Sequence, residues 1–489
     1  MENLPGVISE RSDDVGPAFE SLSLKNAAVT QQSRSSFGHN LQPAIDRLSR
    51  DILLEIFSFV CNDCILTSRT STPVVISHVS RFWRALALGC STLWSTIQTG
   101  DCPYIVMNRE RAIFLDRVAR AVRMYLARSN SAPINFECRH LYAVVEDLRS
   151  AVGFIVNHSL RWRRIIISSD LLQLLDGARG RLPMLESAEV VDNDCGNIPS
   201  GFDLFSVSPR LKRWRCDYSL SRNVLPWAQL EDVAFKVDYE PGLAPIIFQM
   251  RRLREAVVDV VTQGDFSDTV QEPDIVWPPT LVNLIVQVKL SPTTALLPNP
   301  AGFLDRCTFD HLQSLSIRPD EVMDGTKLGN IGWSHVVLMR MVERTQLGRT
   351  LRRLALRRVM LSIQELLEVL RGLSCLTSLD IWDPTPASSP EVVAGGIPLS
   401  TGQLLEALAD KHDGRSDVVV PHLQRLILRG KMEINDATVV VLVRSHPRLV
   451  ELVLQFTDSK GFVRPSPLSE AAQATLSELL GHRRCLETV

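Results

Sequence analysis

The sequence predicts an α/β chain. A small helical module precedes an irregular solenoid with parallel strands on one face and helices and loops on the other. Three observations predict it. The pattern L-x-x-L-x-L, with conservative replacements, recurs from about residue 162 onward. Helix signals fall between its copies, and two strongly apolar helical stripes come before it.

Residues 1–42 are rich in Ser, Gln, Asn and Gly without a sustained apolar period, and are expected to be a disordered tail. In RLSRDILLEIFSFV, Ile52, Leu53, Ile56, Phe57 and Val60 fall at helical spacing. Ser49 suits the N-cap and Asp51 the positive end of the helix dipole. After the loop CNDCILTSRTSTP, Pro73 opens the next element. There VVISHVSRFWRALAL repeats the apolar period with Val75, Ile76, Val79, Trp83, Leu86 and Ala87. STLWSTIQ adds Leu93, Trp94 and Ile97, and an amphipathic helix is expected from about Tyr104 to Ala127. The expected division is a tail at 1–42, a helical module at 43–100, a helical linker at 101–150 and repeats at 151–489.

Clear copies of the repeat are Leu281-Leu284-Val286, Leu312-Leu315-Ile317 and Leu351-Leu354-Leu356. They continue with Leu376-Leu379-Ile381, Leu423-Leu426-Leu428 and Leu449-Leu452-Leu454. Weaker copies begin at Trp162, Leu185, Leu211, Leu230 and Leu253. The closing L-x-L is strand alternation, which places both side chains on one face. So short a strand cannot bury that face alone, so successive copies must stack, as in a leucine-rich repeat. Ser362 with Glu365 and Ser400 with Gln403 read as capping boxes, Gly372 as a stop, and SEAAQATLSELLGH as a closing helix. Uneven spacing predicts inserted loops, above all between 381 and 423. The Asn or Cys that usually follows the strand is present in the Leu185 copy alone, as Asn193.

The formal net charge of −2 over 489 residues gives no general pull toward nucleic acid or anionic lipid. Ten cysteines without a disulfide-scaffold spacing, and no signal-peptide or membrane-spanning stretch, imply cytoplasm, nucleus or both. Cys61 and Cys64 form a lone C-x-x-C without the further ligands that zinc needs, so no metal or other cofactor is expected. No phosphate-loop, zincin or nucleophile-elbow motif occurs, and no enzymatic activity is expected. Basic residues between strand leucines usually form a solvated face. Arg352, Arg353, Arg357 and Arg358 are nevertheless candidates for a basic surface that favours acidic or phosphorylated substrates.

LSRDILLEIFSFV followed by VVISHVSRFWRALALGCSTLWSTI resembles the F-box, especially the F-box-like domains of mushroom-forming fungi. Leu48-Ser49-Arg50-Asp51 stands where the family opens Leu-Pro-x-Glu, and Val79-Ser80-Arg81-Phe82-Trp83-Arg84 where it reads Val-Cys-Arg-x-Trp-Arg. Leu93-Trp94 matches the family's closing Leu-Trp. HLQRLILRGKMEINDATVVVLVRSHPRLVELVL is similar to the repeat unit of F-box leucine-rich-repeat proteins. The resemblance implies the substrate-recognition subunit of a Skp–cullin–F-box ubiquitin ligase. The F-box would dock the Skp adaptor, and through it cullin, while the repeats hold a protein substrate that the sequence does not identify. It makes Leu48, Ile52, Leu53, Ile56, Phe57, Val79, Trp83, Leu93 and Trp94 candidates for the adaptor-facing surface. Plain core packing is the alternative for each, with about half expected to be internal, and Phe57, Phe82 and Trp94 are not sorted by sequence. A ligase-independent repeat scaffold is the rival function.

Overall fold

The computed structural model describes residues 45, 48–61, 65–66, 71–99, 108–139, 145–191, 201–237, 242–261, 274–289, 299–320, 329–384, 400–409, 419–430, 432, 435–457, 463–464 and 468–480. The expected tail at 1–42, Cys64, Asn193 and most of the expected insertion after residue 384 lie outside them. The chain forms two compact units, Met1–Ile56 and Phe57–Val489. Of the first, the described part is chiefly the opening of the helix Arg50–Cys61. Ser49 starts that helix as its sequence predicts: its carbonyl accepts from Leu53 N at 3.1 Å and its Oγ from Ile52 N at 3.4 Å.

The second apolar stretch is not one helix. It divides into Thr72–Val79 and Arg81–Gly89, with Ser80 extended between them (φ −153°, ψ 166°). Ser80 Oγ accepts from Trp83 N at 3.1 Å, so a residue that can cap interrupts an apolar period that runs straight through it. The rings of Phe57 and Trp83 pack 4.8 Å apart. Trp94 is fully buried, and its Nε1 donates to Ala87 O at 2.7 Å. Its ring meets Tyr125, on the helix Asn108–Ser129, edge-on at 5.2 Å. Trp162 uses the same device, donating to Ile155 O at 3.1 Å.

The strands follow in chain order: β1 (Thr96–Gln98), β2 (Ile134–Cys138), β3 (Trp162–Ser168), β4 (Ser187–Val191), β5 (Arg213–Cys216), β6 (Asp232–Val237), β7 (Glu255–Val261), β8 (Ile275–Val276), β9 (Asn283–Lys289), β10 (Cys307–Thr308), β11 (Ser314–Pro319), β12 (Arg353–Arg357), β13 (Ser378–Trp382), β14 (Arg425–Gly430), β15 (Glu451–Thr457) and β16 (Val463–Arg464). Among the described residues, fourteen of them make one sheet in sequence order, and β8 and β10 pair separately. Every pairing from β1 to β15 is parallel, and β16 closes antiparallel on β15. Every repeat copy read in the sequence supplies a strand. The ladder also begins at β1 and β2, ahead of residue 151 and partly inside the stretch expected to be a helical linker.

Register keeps like positions together. Leu284, Leu315, Leu354, Leu379, Leu426 and Leu452 form one continuous inward row, all buried. Toward the N-terminus the row continues as Ala256, Val233, Trp214, Ala188, Ile165, Phe136 and Ile97. Burial of each large side chain contributes about 1.5–3 kcal/mol, which none of these strands could realise alone.

The spacing L-x-x-L has a backbone cause. The first leucine usually closes a turn: Leu211, Leu230, Leu253, Leu281, Leu376, Leu423 and Leu449 each donate N–H to the carbonyl three residues earlier. The next two amides then share one carbonyl of the preceding copy. Val282 and Asn283 donate to Arg254 O, Gln313 and Ser314 to Val282 O, Arg352 and Arg353 to Gln313 O, and Thr377 and Ser378 to Arg352 O. The same step recurs from Lys212 to Glu451, and the second leucine then begins the inward face.

Between strands, helices cover the other side. Ile363–Gly372 carries the complete capping box: Ser362 Oγ accepts from Glu365 N at 3.3 Å, and Ser362 N donates to Glu365 at 2.7 Å. For Thr401–Ala409 the capping carboxylate comes from a strand end. Thr401 N donates to Asp383 Oδ1 at 2.8 Å and Thr401 Oγ1 to Oδ2 at 3.1 Å, where the sequence suggests Ser400 with Gln403. Phe57–Val489 is thus a mixed α/β unit built on a long parallel sheet, as expected of a leucine-rich-repeat-like solenoid.

Candidate interaction surfaces

The helix Arg50–Cys61 carries two apolar stripes offset by one residue. Leu53, Phe57 and Cys61 are buried, while Ile52, Ile56, Phe59 and Val60 are exposed, Phe59 at 81%. Within Phe57–Val489, Val75 and Val79 (57%) are exposed on the helix Thr72–Val79, and Phe82 and Leu88 on Arg81–Gly89. Side chains at i and i+4 share a helix face, so a helix can keep one stripe for its own core and present another.

Burial divides the candidate adaptor-facing residues. Leu53, Phe57, Leu93 and Trp94 are core residues, consumed by internal packing, whereas Ile52, Ile56 and Val79 face solvent. Leu48 and Trp83 are half-buried, the Trp83 ring resting on Phe57. Phe59, three residues beyond Ile56 on the same helix, was a readable omission, and Phe82, which sequence alone does not sort, is exposed.

The second surface is the open face of the sheet, where alternate strand residues stand in rows. One row runs Asn283, Ser314, Arg353, Ser378, Arg425 and Glu451. Another sets Arg357 beside Trp382 and Trp382 beside Arg429. The Trp382 ring lies between two guanidinium groups, each with Cζ 4.4 Å from its centroid. Asp380 is engaged at both oxygens, by Trp382 Nε1 (3.1 Å) and Arg357 Nη2 (3.3 Å), and Glu451 pairs with Arg425 at 3.0 Å. Of the predicted basic residues, Arg353 and Arg357 stand on this face. Arg352 lies in the turn ahead of β12, and Arg358 follows β12 in the left-handed region (φ 58°).

Farther back, Asp259 on β7 pairs with Lys289 at 3.7 Å. With its amide oriented to suit its neighbours, Gln287 donates to Asp259 Oδ1 (3.1 Å) and accepts from Arg318 Nη2 (3.2 Å). Burial raises the Asp259 carboxyl to about 6; Lys289 opposes the shift, and Asp320 and Asp217 add to it. Burial likewise pushes the Cys216 and Cys307 thiols up to about 12, so neither offers a thiolate at neutral pH. Among the described residues no cluster of His, Cys, Asp or Glu could hold a metal ion, and no helix is long and apolar enough to cross a membrane.

No family model matches the chain. No curated protein matches it either. Among solved structures the chain is similar to the leucine-rich repeat-containing protein LegL7 from Legionella pneumophila, at 11% identity and a TM-score of 0.28, over 87% of this chain and 98% of that one. At that score the likeness carries no argument, and the repeat architecture rests on the strand order and register of this chain.

Proposed function

We propose that the chain is the substrate-recognition subunit of a Skp–cullin–F-box ubiquitin ligase, acting in the cytoplasm or nucleus. The observation that carries this reading is the solvent-facing apolar set on the N-terminal helices, of which Phe59, Val79 and Phe82 are the most prominent. Exposed apolar surface marks sites of association, and these residues fall in the stretch whose sequence resembles the F-box. A Skp adaptor would cover it, and the open sheet face would hold a protein substrate. The chain then supplies proximity, with no reactive group or cofactor of its own.

Co-purification of the full chain with a Skp adaptor tests this. Val79→Asp, and separately Ile52→Asp, are each expected to cut adaptor recovery by about tenfold or more, as buried interface anchors do, with thermal unfolding unchanged. Failure of the unaltered chain to retain the adaptor, or full retention by both variants, rejects the ligase role and leaves a repeat scaffold.

A further inference from the structure

On the open face of β11–β14, Arg318, Arg353, Arg357, Arg425 and Arg429 bring five guanidinium groups together, against the carboxylates Asp380 and Glu451. Both carboxylates are already engaged. The Nε atoms of Arg318 and Arg429 are buried without a hydrogen-bond partner among the described residues. Burial, together with the like charges of Arg357 and Arg425, holds the Arg429 guanidinium below its ordinary range against the opposing pull of Asp380. An anion brought to this face would relieve that repulsion and could be bound by the guanidinium groups that line it.

We infer that this face holds an extended peptide segment carrying closely spaced anionic side chains, gripped by Arg318, Arg353, Arg425 and Arg429 around Trp382. The inference rests on the reading of the chain as a protein-recruiting subunit and names the chemistry of what it recruits. The size fits: strands about 4.8 Å apart put β11 and β14 about 14 Å from one another, the reach of four or five extended residues. The charge pattern favours a peptide over nucleic acid, because the basic zone is short. Asp232 on β6 and Glu255 and Asp259 on β7, with Asp259 paired to Lys289 of β9, separate it from the arginines of β3 and β5, and Glu451 bounds it on β15, so the basic zone is interrupted on both sides.

The test is fluorescence anisotropy of the full chain with a labelled ten-residue oligoglutamate and with a phosphoserine peptide of equal length. Binding of either supports the inference, and the tighter one identifies whether the anion is a carboxylate or a phosphate. Arg318→Gln with Arg429→Gln is expected to weaken binding by about tenfold or more. Arg353→Gln with Arg425→Gln, on side chains exposed enough to spare the fold, is expected to weaken it by about fivefold. Arg164→Gln with Arg213→Gln, which removes as much charge from β3 and β5, is expected to change nothing. No binding of either peptide overturns the inference, as does equal weakening by the control pair, or tighter binding of a ten-nucleotide oligothymidylate at the same arginines. Lost peptide binding with the Skp adaptor still captured overturns this inference alone. Lost adaptor capture with peptide binding intact overturns the ligase reading alone.

Discussion

The strands β3–β7 and, later in the chain, β9 and β11–β15 occupy one sheet, yet fill their buried layer in different ways. In the later group the inward row is leucine throughout, from Leu284 to Leu452. In the earlier group large and small side chains alternate: Trp214 stands in register between Ala188 and Val233, with Phe205 against its ring at 5.3 Å. The connections differ too. Several in the earlier group are 3-10 segments, such as Ser169–Ala178 and Trp227–Gln229, whereas the later group uses α-helices such as His335–Thr345 and Asp436–Ser445. A uniform row needs connections of even thickness behind it; a jigsaw row tolerates thinner, irregular ones because single bulky residues reach across.

The sharpest way to break that comparison is a cavity in the uniform row. Leu379→Ala is expected to cost about 2–5 kcal/mol in urea unfolding. A loss below about 1 kcal/mol would show that the leucine row relaxes as readily as a jigsaw one. Next comes Asp259, on the last strand of the earlier group. Its folded carboxyl binds a proton more tightly than an unfolded one, so its contribution to stability is fully present below about pH 4 and is lost as pH rises through about 6. At neutral pH the penalty reaches at most about 3 kcal/mol. Asp259→Asn is therefore expected to raise the urea midpoint at pH 7 relative to the unaltered chain, with little difference at pH 4. An unchanged difference across that range contradicts the shift.

In the earlier group, Ala188→Leu is expected to cost about 1–3 kcal/mol by crowding Trp214. Calorimetry showing no change would mean the small residue is not needed there. The smallest effect belongs to the helix ends of the later group: Ser362→Ala is expected to cost about 1 kcal/mol through the lost capping box, and Asp383→Ala a similar amount through Thr401. If hydrogen exchange in Ile363–Gly372 and Thr401–Ala409 is unaltered by these changes, the caps do not hold those helices.

Strand positions were readable because L-x-x-L-x-L encodes both a turn and an alternation, and most copies have both. β1 and β2 escaped because their inward residues, Ile97, Ile134 and Phe136, belong to short strands outside the leucine pattern. The break at Ser80 was hidden because apolar spacing continues across it. Core and surface on the first helix were inseparable in sequence, since Ile52 and Leu53 are equally apolar and only packing tells them apart. The Arg357–Trp382–Arg429 stack joins residues from three strands, and it became visible only when register placed them side by side.

The carbonyl shared by two amides where the main-sheet strands from Arg213–Cys216 to Glu451–Thr457 begin fixes the phase of a strand against its predecessor alone. What lies between two such points can lengthen or shorten without disturbing the rest, as the uneven spacing of the copies already shows. Excision of one whole period, from the shared acceptor of one copy to that of the next, would therefore rejoin the ladder in phase.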